Sequence, residues 1–327
     1  MNKKKILLPI ILLIAAALGF LVFSEEKKAG NEEISRAGET ISADLPTKVL
    51  SYNGEEAGLK RMTSTLLIIG TDNYEDVEFS DIVPYYNRNM GDFLLLLVFD
   101  DNEKTITPIQ ISRETMCDVP WISANHKVGG THFEQITFAH TYGSGKEDSC
   151  ENVCSTVSSL LFNAPIDHYM AFTMSAVPEV NDAVGGVKIK LNEDLTELDP
   201  SFTAGKTVTL KGEAALRFVR TRDHYKLEAN NERMSRHRQY IEAFTAQAKA
   251  AAKENSSLAL NVFNRLTPYM TTDVSGDLFL SIADKLEDYK YNPILYPTGE
   301  LKFGEKWAEF YPDQDSLFSI VKQAMCE

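Results

Sequence analysis

Of the eleven arginines in this chain of 327 residues, six fall between Arg217 and Arg238, although the protein as a whole is strongly acidic. A guanidinium offers a planar fork of donors that matches phosphate oxygens, so the cluster points to a phosphate-bearing ligand. If Phe218 to Asp223 runs extended, Arg220 and Arg222, two apart, project from one face. In the helix expected next, Arg233, Arg236, His237 and Tyr240 fall at i, i+3, i+4 and i+7 and form one stripe. Arg238 lies about 140° around the helix from Arg233 and belongs to another, solvated face. The ordinary alternative for the whole set is a salt-bridged surface with Asp223, Glu228 and Glu232.

The acidic counterparts are Asp72, which follows the apolar run Leu66-Leu67-Ile68-Ile69 through Gly70-Thr71, and Asp92, which precedes the run Phe93 to Phe99. Carboxylates at strand ends stand where open α/β sheets build their sites. Two of them facing each other could hold Mg²⁺, which takes one or two protein oxygens and fills the rest with water and substrate phosphate. Ordinary turn chemistry after a glycine is the competing explanation for each. The acidic loop Glu75, Asp76, Glu78, Asp81 lacks calcium-loop spacing, and His126, His132 and His140 are not at metal-ligand spacing. Cys117, Cys150, Cys154 and Cys326 are either bridged or small buried hydrophobes, and nothing in their spacing decides between the two.

These residues need elements to hold them. The unbroken runs at 66–69 and 93–99 predict strands buried on both faces, and Asp100-Asp101-Asn102 turns the second into a third strand over Thr105 to Ile111. Helices are expected near 133–142 and 149–162, a strand near 168–173, and another from Val187 to Leu191 opened by Gly185-Gly186. A short helix over Lys211 to Val219 and a long alanine-rich one over Leu227 to Lys253 follow, then helices over Asp277 to Tyr289 and Ser316 to Cys326. This alternation favours an α/β fold, a central mixed sheet sandwiched by helices.

Ahead of it, Lys3-Lys4-Lys5 precedes Ile6 to Phe23, eighteen residues without a charge. As a helix that stretch covers about 27 Å, enough for one transmembrane signal anchor. The lysines keep the N-terminus cytoplasmic and put the rest outside the cell, at the membrane. A cleaved signal peptide would leave Leu18 to Phe23 as an apolar stub, which favours the anchor. Residues 24–61 turn polar and read as a stalk, leaving 62–327 as the folded domain. Beyond residue 23 the chain carries 30 basic against 47 acidic side chains, a balance that excludes nucleic acid as the main partner.

The ordered series Leu66-Leu67-Ile68-Ile69-Gly70-Thr71-Asp72, Gly91-Asp92-Phe93 and Ile111-Ser112-Arg113-Glu114-Thr115 resembles the opening motifs of the LytR-CpsA-Psr family. Ala183-Val184-Gly185-Gly186-Val187, the run Gly212 to Arg222, and Arg233-Met234-Ser235-Arg236-His237-Arg238-Gln239 resemble its later ones, so that the likeness covers about residues 62–250. The resemblance implies an α/β/α sandwich with a deep apolar pocket for a polyprenyl tail. It also implies transfer of a phosphate-linked glycopolymer, such as teichoic acid or capsular polysaccharide, from a polyprenyl-pyrophosphate carrier to peptidoglycan. Carried over by residue, Asp72 and Asp92 hold Mg²⁺, and Arg113, Arg220, Arg222, Arg233, Arg236 and His237 bind the pyrophosphate. Asp92, Arg113 and Arg233 are the catalytic group. Met90, Glu114 and His237 depart from the family pattern, which more often has arginine, aspartate and glutamine there, and the gap from Asp72 to Asp92 is long. A non-catalytic lipid-binding regulator and a polyprenyl-pyrophosphate phosphohydrolase are the rival readings.

Overall fold

The structure is a computed structural model that describes residues 48–72, 86–123, 127–222, 226–254, 258, 262 and 265–327. The signal anchor, the acidic loop 75–81, His126 and Asp223 lie outside the described residues, as does the stalk up to residue 47. Among the described residues no helix is long and apolar enough to cross a membrane.

The chain enters through β1 (Val49–Tyr52) and β2 (Glu55–Gly58), then β3 (Thr63–Thr71), β4 (Gly91–Asp100) and β5 (Thr105–Ile111). The hairpin β6 (Met116–Ile122) and β7 (Val128–Gln135) runs into a 3₁₀ turn, Ile136–Thr141. Helix α1 (Glu147–Leu160), β8 (His168–Thr173), α2 (Ala176–Ala183), β9 (Val187–Lys190), β10 (Thr207–Leu210), α3 (Glu213–Arg220) and the 26-residue α4 (Ala229–Glu254) follow. Then come β11 (Met270–Thr272), α5 (Gly276–Asp288), β12 (Lys290–Tyr291), β13 (Gly299–Phe303), β14 (Ala308–Pro312) and α6 (Gln314–Met325).

The central sheet has six strands in the order β11-β8-β3-β4-β5-β12. Strands β3 and β8 are parallel and β3–β4 and β4–β5 antiparallel, so the sheet is mixed as expected. Successive side chains of a strand point to opposite faces, and here both faces are covered. Leu66, Ile68, Leu95, Leu97 and Phe99 belong to one buried cluster with residues of α2, α3, α4 and α5. Leu67, Ile69, Leu94, Leu96 and Val98 belong to a second with α1 and α6. This is why β3 and β4 carry continuous apolar runs rather than alternation.

Helix α1 buries Cys150, Val153 and Val157 on one stripe. It stops where Phe162 and Asn163 take positive φ, 59° and 64°. A bulky residue is strained there, and Phe162 is held by ring contacts to Tyr52 at 5.1 Å and Phe318 at 4.9 Å.

Two expectations need correction. Residues 133–142 are strand and 3₁₀ turn rather than helix, because β7 pairs with β6 along its length from Val128 to Gln135. Cross-strand pairing overrides local propensity here. The stalk does not reach Arg61 either. Leu50 and Leu59, 3% and 7% exposed, sit in the second core cluster, Lys60 N donates to Met325 O at 2.9 Å, and Lys60 Nζ pairs with Asp100 at 3.2 Å. The folded domain therefore starts at β1. All four cysteines are free thiols, three of them buried and Cys154 half-buried, and burial pushes Cys117 and Cys154 up to about 12.

Leu50→Ala should cost about 2–4 kcal/mol of unfolding free energy in denaturant titrations. A stalk residue would give no measurable change.

Candidate functional site

Asp72 and Asp92 come together because β3 and β4 pair up to their ends. Gly70 faces Phe93, then a bulge between Gly70 and Thr71 shifts the register so that Thr71 faces Gly91. Such bulges re-aim side chains beside sites. Gly70 is required: a Cβ there would stand 2.9 Å from the Cβ of Phe93. Asp72 N donates to Met90 O at 3.3 Å, which fixes the two acidic ends against each other.

Arg113 follows β5 in a tight turn, with Thr115 N donating to Ser112 O, and its Nη1 lies 2.9 Å from Asp92 Oδ1. Arg233, from the first turns of α4, brings Nη1 to 3.7 Å from Asp92 Oδ2 and donates from Nη2 to the Asp92 carbonyl at 3.4 Å. Its side chain is 3% exposed. Asn230, one turn earlier, accepts from Arg233 Nη2 at 2.8 Å and donates to Ser112 Oγ at 3.0 Å, tying α4 to the Arg113 turn. Thr137 Oγ1 donates to Asp92 Oδ1 at 3.5 Å. The Nε donors of Arg113 and Arg233 are buried without a protein acceptor. A buried donor left unmade is costly, and anionic oxygens would satisfy both.

Arg220 ends α3, and Arg222 follows after the extended Thr221. Arg222 Nη1 meets Glu114 Oε1 at 3.5 Å. Thus the helix runs through Arg220, and only the residue beyond it is extended. Burial lowers the affinity of Arg222 for its proton, as does Arg113 beside it, and burial draws Arg233 down to about 10, still a cation at neutral pH. Asp72 is held above the usual aspartate range, first by burial and then by the charge of Asp92, against the pull of Arg113, Arg220 and Arg233. Glu114 is likewise raised by burial. Arg113 and Arg233 therefore pair with Asp92, Arg222 pairs with Glu114, and Arg220 stands near enough to pull on Asp72.

The other two pyrophosphate candidates bond elsewhere. Arg236 donates from Nε to Phe218 O at 3.0 Å and from Nη2 to Thr221 O, with Nη1 3.6 Å from Glu193. His237 Nε2 donates to Val219 O at 2.7 Å. These are carbonyls that the C-terminus of α3 leaves without helical partners. Burial and Arg233 depress His237 to about 3, so its ring is neutral, its one N–H is spent on Val219, and it has no donor for a phosphate. Both residues hold in place the segment that carries Arg220 and Arg222. Arg238, expected to be solvated, bonds Gln110 Oε1 at 2.7 Å and stacks over Tyr296 at 4.5 Å.

A cavity of ≈ 600 Å³ opens from this cluster. Asp92, Arg233 and His237 are among its lining residues, and Ile68, Leu95, Leu97, Phe172, Val180 and Phe244 supply apolar wall between the sheet, α2 and α4. Sequence reasoning missed Asn230 and Thr137. Asn230 stands at i−3 from Arg233 on the same stripe, a signal that was available; Thr137 had none.

Among the described residues no group of three or more His, Cys, Asp or Glu is placed to hold a metal, and Asp72 makes no ion pair within 4 Å. Two carboxylates, of which Asp72 is half-buried and makes no ion pair within 4 Å, fit a cation that takes few protein ligands, as Mg²⁺ does.

Asp72→Asn should raise the melting temperature at neutral pH. A carboxyl whose folded pKa is raised favours the native state in its protonated form and loses that contribution as pH rises through the raised value. The stability gap between variant and parent should therefore open with rising pH and close in acid, as read by thermal melts from pH 3 to 8. Arg236→Met should cost about 2–4 kcal/mol of stability, because it strips carbonyls and Glu193 of a buried partner.

The family model described as LytR_cpsA_psr matches residues 23–321. A polyisoprenyl-teichoic acid–peptidoglycan teichoic acid transferase TagU of Enterococcus faecalis is 24% identical over 221 residues, covering 67% of this chain and 64% of that protein. The TagU of Halalkalibacterium halodurans is 26% identical over 186 residues, 56% of this chain and 53% of that one. The chain thus matches less than two thirds of the length of these relatives. Two solved structures share the fold at 20% identity. TagT bound to LI-WTA has a TM-score of 0.62 over 81% of this chain and 90% of that one. The LytR-CPS2A-psr family protein YwtF (TagT) with bound octaprenyl pyrophosphate lipid has a TM-score of 0.56 over 81% and 89%. With the family model running from residue 23 to residue 321, the chain belongs to the LytR-CpsA-Psr family.

Proposed function

We propose that this protein transfers a phosphate-linked glycopolymer from a polyprenyl-pyrophosphate carrier to a hydroxyl of peptidoglycan, releasing polyprenyl phosphate. The observation that carries this is one cavity whose wall is apolar and whose lining includes the Asp92–Arg233 pair, a shape suited to a ligand with a long hydrocarbon tail and an anionic head. Relatives named as teichoic acid transferases, and a fold relative holding octaprenyl pyrophosphate, support it.

In the reaction the acceptor hydroxyl attacks the phosphorus on the glycan side, and its proton passes to solvent. The bond from that phosphorus to the bridging oxygen breaks, the glycan is left on the wall through a phosphodiester, and polyprenyl phosphate departs. Arg233, which lines the cavity, and Arg113, paired with the same Asp92, supply cationic donors for the phosphate oxygens, and Arg220 and Arg222 add positive charge beside them. Asp92 holds the first two guanidinium groups in register, so catalysis is mainly positioning and electrostatics. Asp72 and Asp92 would hold Mg²⁺, which when bound neutralises charge on the phosphates. In this reading Ile6 to Phe23 is a single membrane anchor with its N-terminus cytoplasmic, and the domain works outside the cell.

The test supplies labelled polyprenyl-pyrophosphate glycan and peptidoglycan to the full chain, with and without chelator. Label should reach the wall, stop with chelator, return with Mg²⁺, and fall at least about 100-fold in Arg233→Ala and in Asp92→Asn, with thermal melts showing that each variant is folded. Label released to water would identify a phosphohydrolase, and tight donor binding without turnover a lipid-binding regulator.

A further inference from the structure

The hairpin β6–β7 leaves the site just after Glu114 and returns just before Thr137, whose hydroxyl reaches Asp92. At its edge stands a row of rings that the chemistry above does not use. Trp121 and His132 lie 6.4 Å apart between centroids, His132 and Tyr142 6.1 Å, and Tyr142 and Tyr86 6.1 Å. Tyr142, the linking ring, is buried at 5% exposed, whereas the His132 side chain is 52% exposed, Tyr86 is 38% exposed and Trp121 is half-buried.

The row is built rather than incidental. Trp121 pairs across the hairpin with Gly130, and a Cβ on Gly129 would stand 2.0 Å from its Cη2, one on Gly130 3.0 Å from its Nε1. The indole therefore lies flat on a strand with no side chains there, fixed before any ligand arrives. The polar groups are oriented as well. Tyr142 donates its hydroxyl proton to Glu134 Oε1 at 2.7 Å, so His132 Nδ1, 3.0 Å from the same hydroxyl, must be the donor to it. Nε2 is the ring nitrogen that this bond does not use.

The exposed His132 and Tyr86 and the half-buried Trp121, beside the Glu134 carboxylate, suit a neutral ligand with an apolar C–H face and a rim of hydroxyls. The negative face of an aromatic ring attracts such C–H groups. We infer that the Trp121–His132–Tyr86 edge is a saccharide subsite that stacks a pyranose ring beyond the reacting phosphate. The sugar's identity rests on the transfer reading above; the stacking does not.

The probe is a β-1,4-linked N-acetylglucosamine hexamer added to the full chain carrying Trp307→Phe, which leaves Trp121 as the one tryptophan of the two in the sequence. Its emission should change saturably, and Gly129→Val and His132→Ala should each weaken the apparent affinity about tenfold without loss of the thermal transition. Calorimetry on Trp121→Ala, with Trp307 retained, should show the same loss and so replaces the emission signal if Gly129→Val fails to fold. In transfer assays His132→Ala should raise one KM about tenfold with kcat kept. A rise for peptidoglycan assigns the row to the wall strand, and a rise for the donor assigns it to the carried glycan. No saturable response, a response indifferent to these substitutions, or two unchanged KM values would overturn the subsite. Arg233→Ala should keep the sugar response, so that if the parent protein responds to sugar but fails in transfer, the reaction falls and the subsite stands.

Discussion

The contact between Asp92 and two buried guanidinium groups is the constraint around which the rest of the domain is arranged. Cations that are 10% and 3% exposed are expensive unless paired, and Asp92 reaches Arg113 at 2.9 Å and Arg233 at 3.7 Å from its two oxygens. The carboxylate is placed by the start of β4, Arg113 by the turn after β5, and Arg233 by α4, so a hairpin and a helix more than a hundred residues away must close on one point. Asn230, bonded to both Arg233 and Ser112, supplies the brace. Within this cluster the pairing is incomplete by design of the geometry: each of the two arginines retains a buried Nε without a protein acceptor.

A second layer holds that layer still. Arg236 and His237 take the carbonyls of Phe218, Val219 and Thr221 from α4, and so hold the end of α3 from which Arg220 and Arg222 project. The same stripe of α4 therefore both lines the cavity and anchors its rim. Met90 gives Arg113 Nη2 a sulfur neighbour at 3.3 Å, a weak acceptor that leaves the guanidinium available.

Much of this was legible in the residues. The unbroken runs at 66–69 and 93–99 could only be strands covered on both faces, and a residue pair such as Asp72 and Asp92 at their ends had to meet once the strands paired. The arginine stripe on α4 was equally plain. What spacing does not reveal is the partner a side chain meets: Arg236 and His237 share a stripe with Arg233, yet their donors turn to backbone carbonyls of another helix. Nor does local composition reveal pairing across a hairpin, which made strand of residues 128–135, or the docking of polar-looking residues 49–58 through Leu50 and Leu59. Burial of a few residues in a hydrophilic stretch is a long-range fact.

The cavity has a thermodynamic consequence of its own. At ≈ 600 Å³ and lined by members of the first core cluster, it offers apolar wall against which a guest's hydrocarbon gains dispersion contacts and burial. An apolar guest that binds the native chain and not the unfolded one stabilises it by mass action, worth about 2.7 kcal/mol at a hundredfold excess over its Kd. Heat resistance thereby becomes a record of occupancy, with the loaded molecules outlasting the vacant ones.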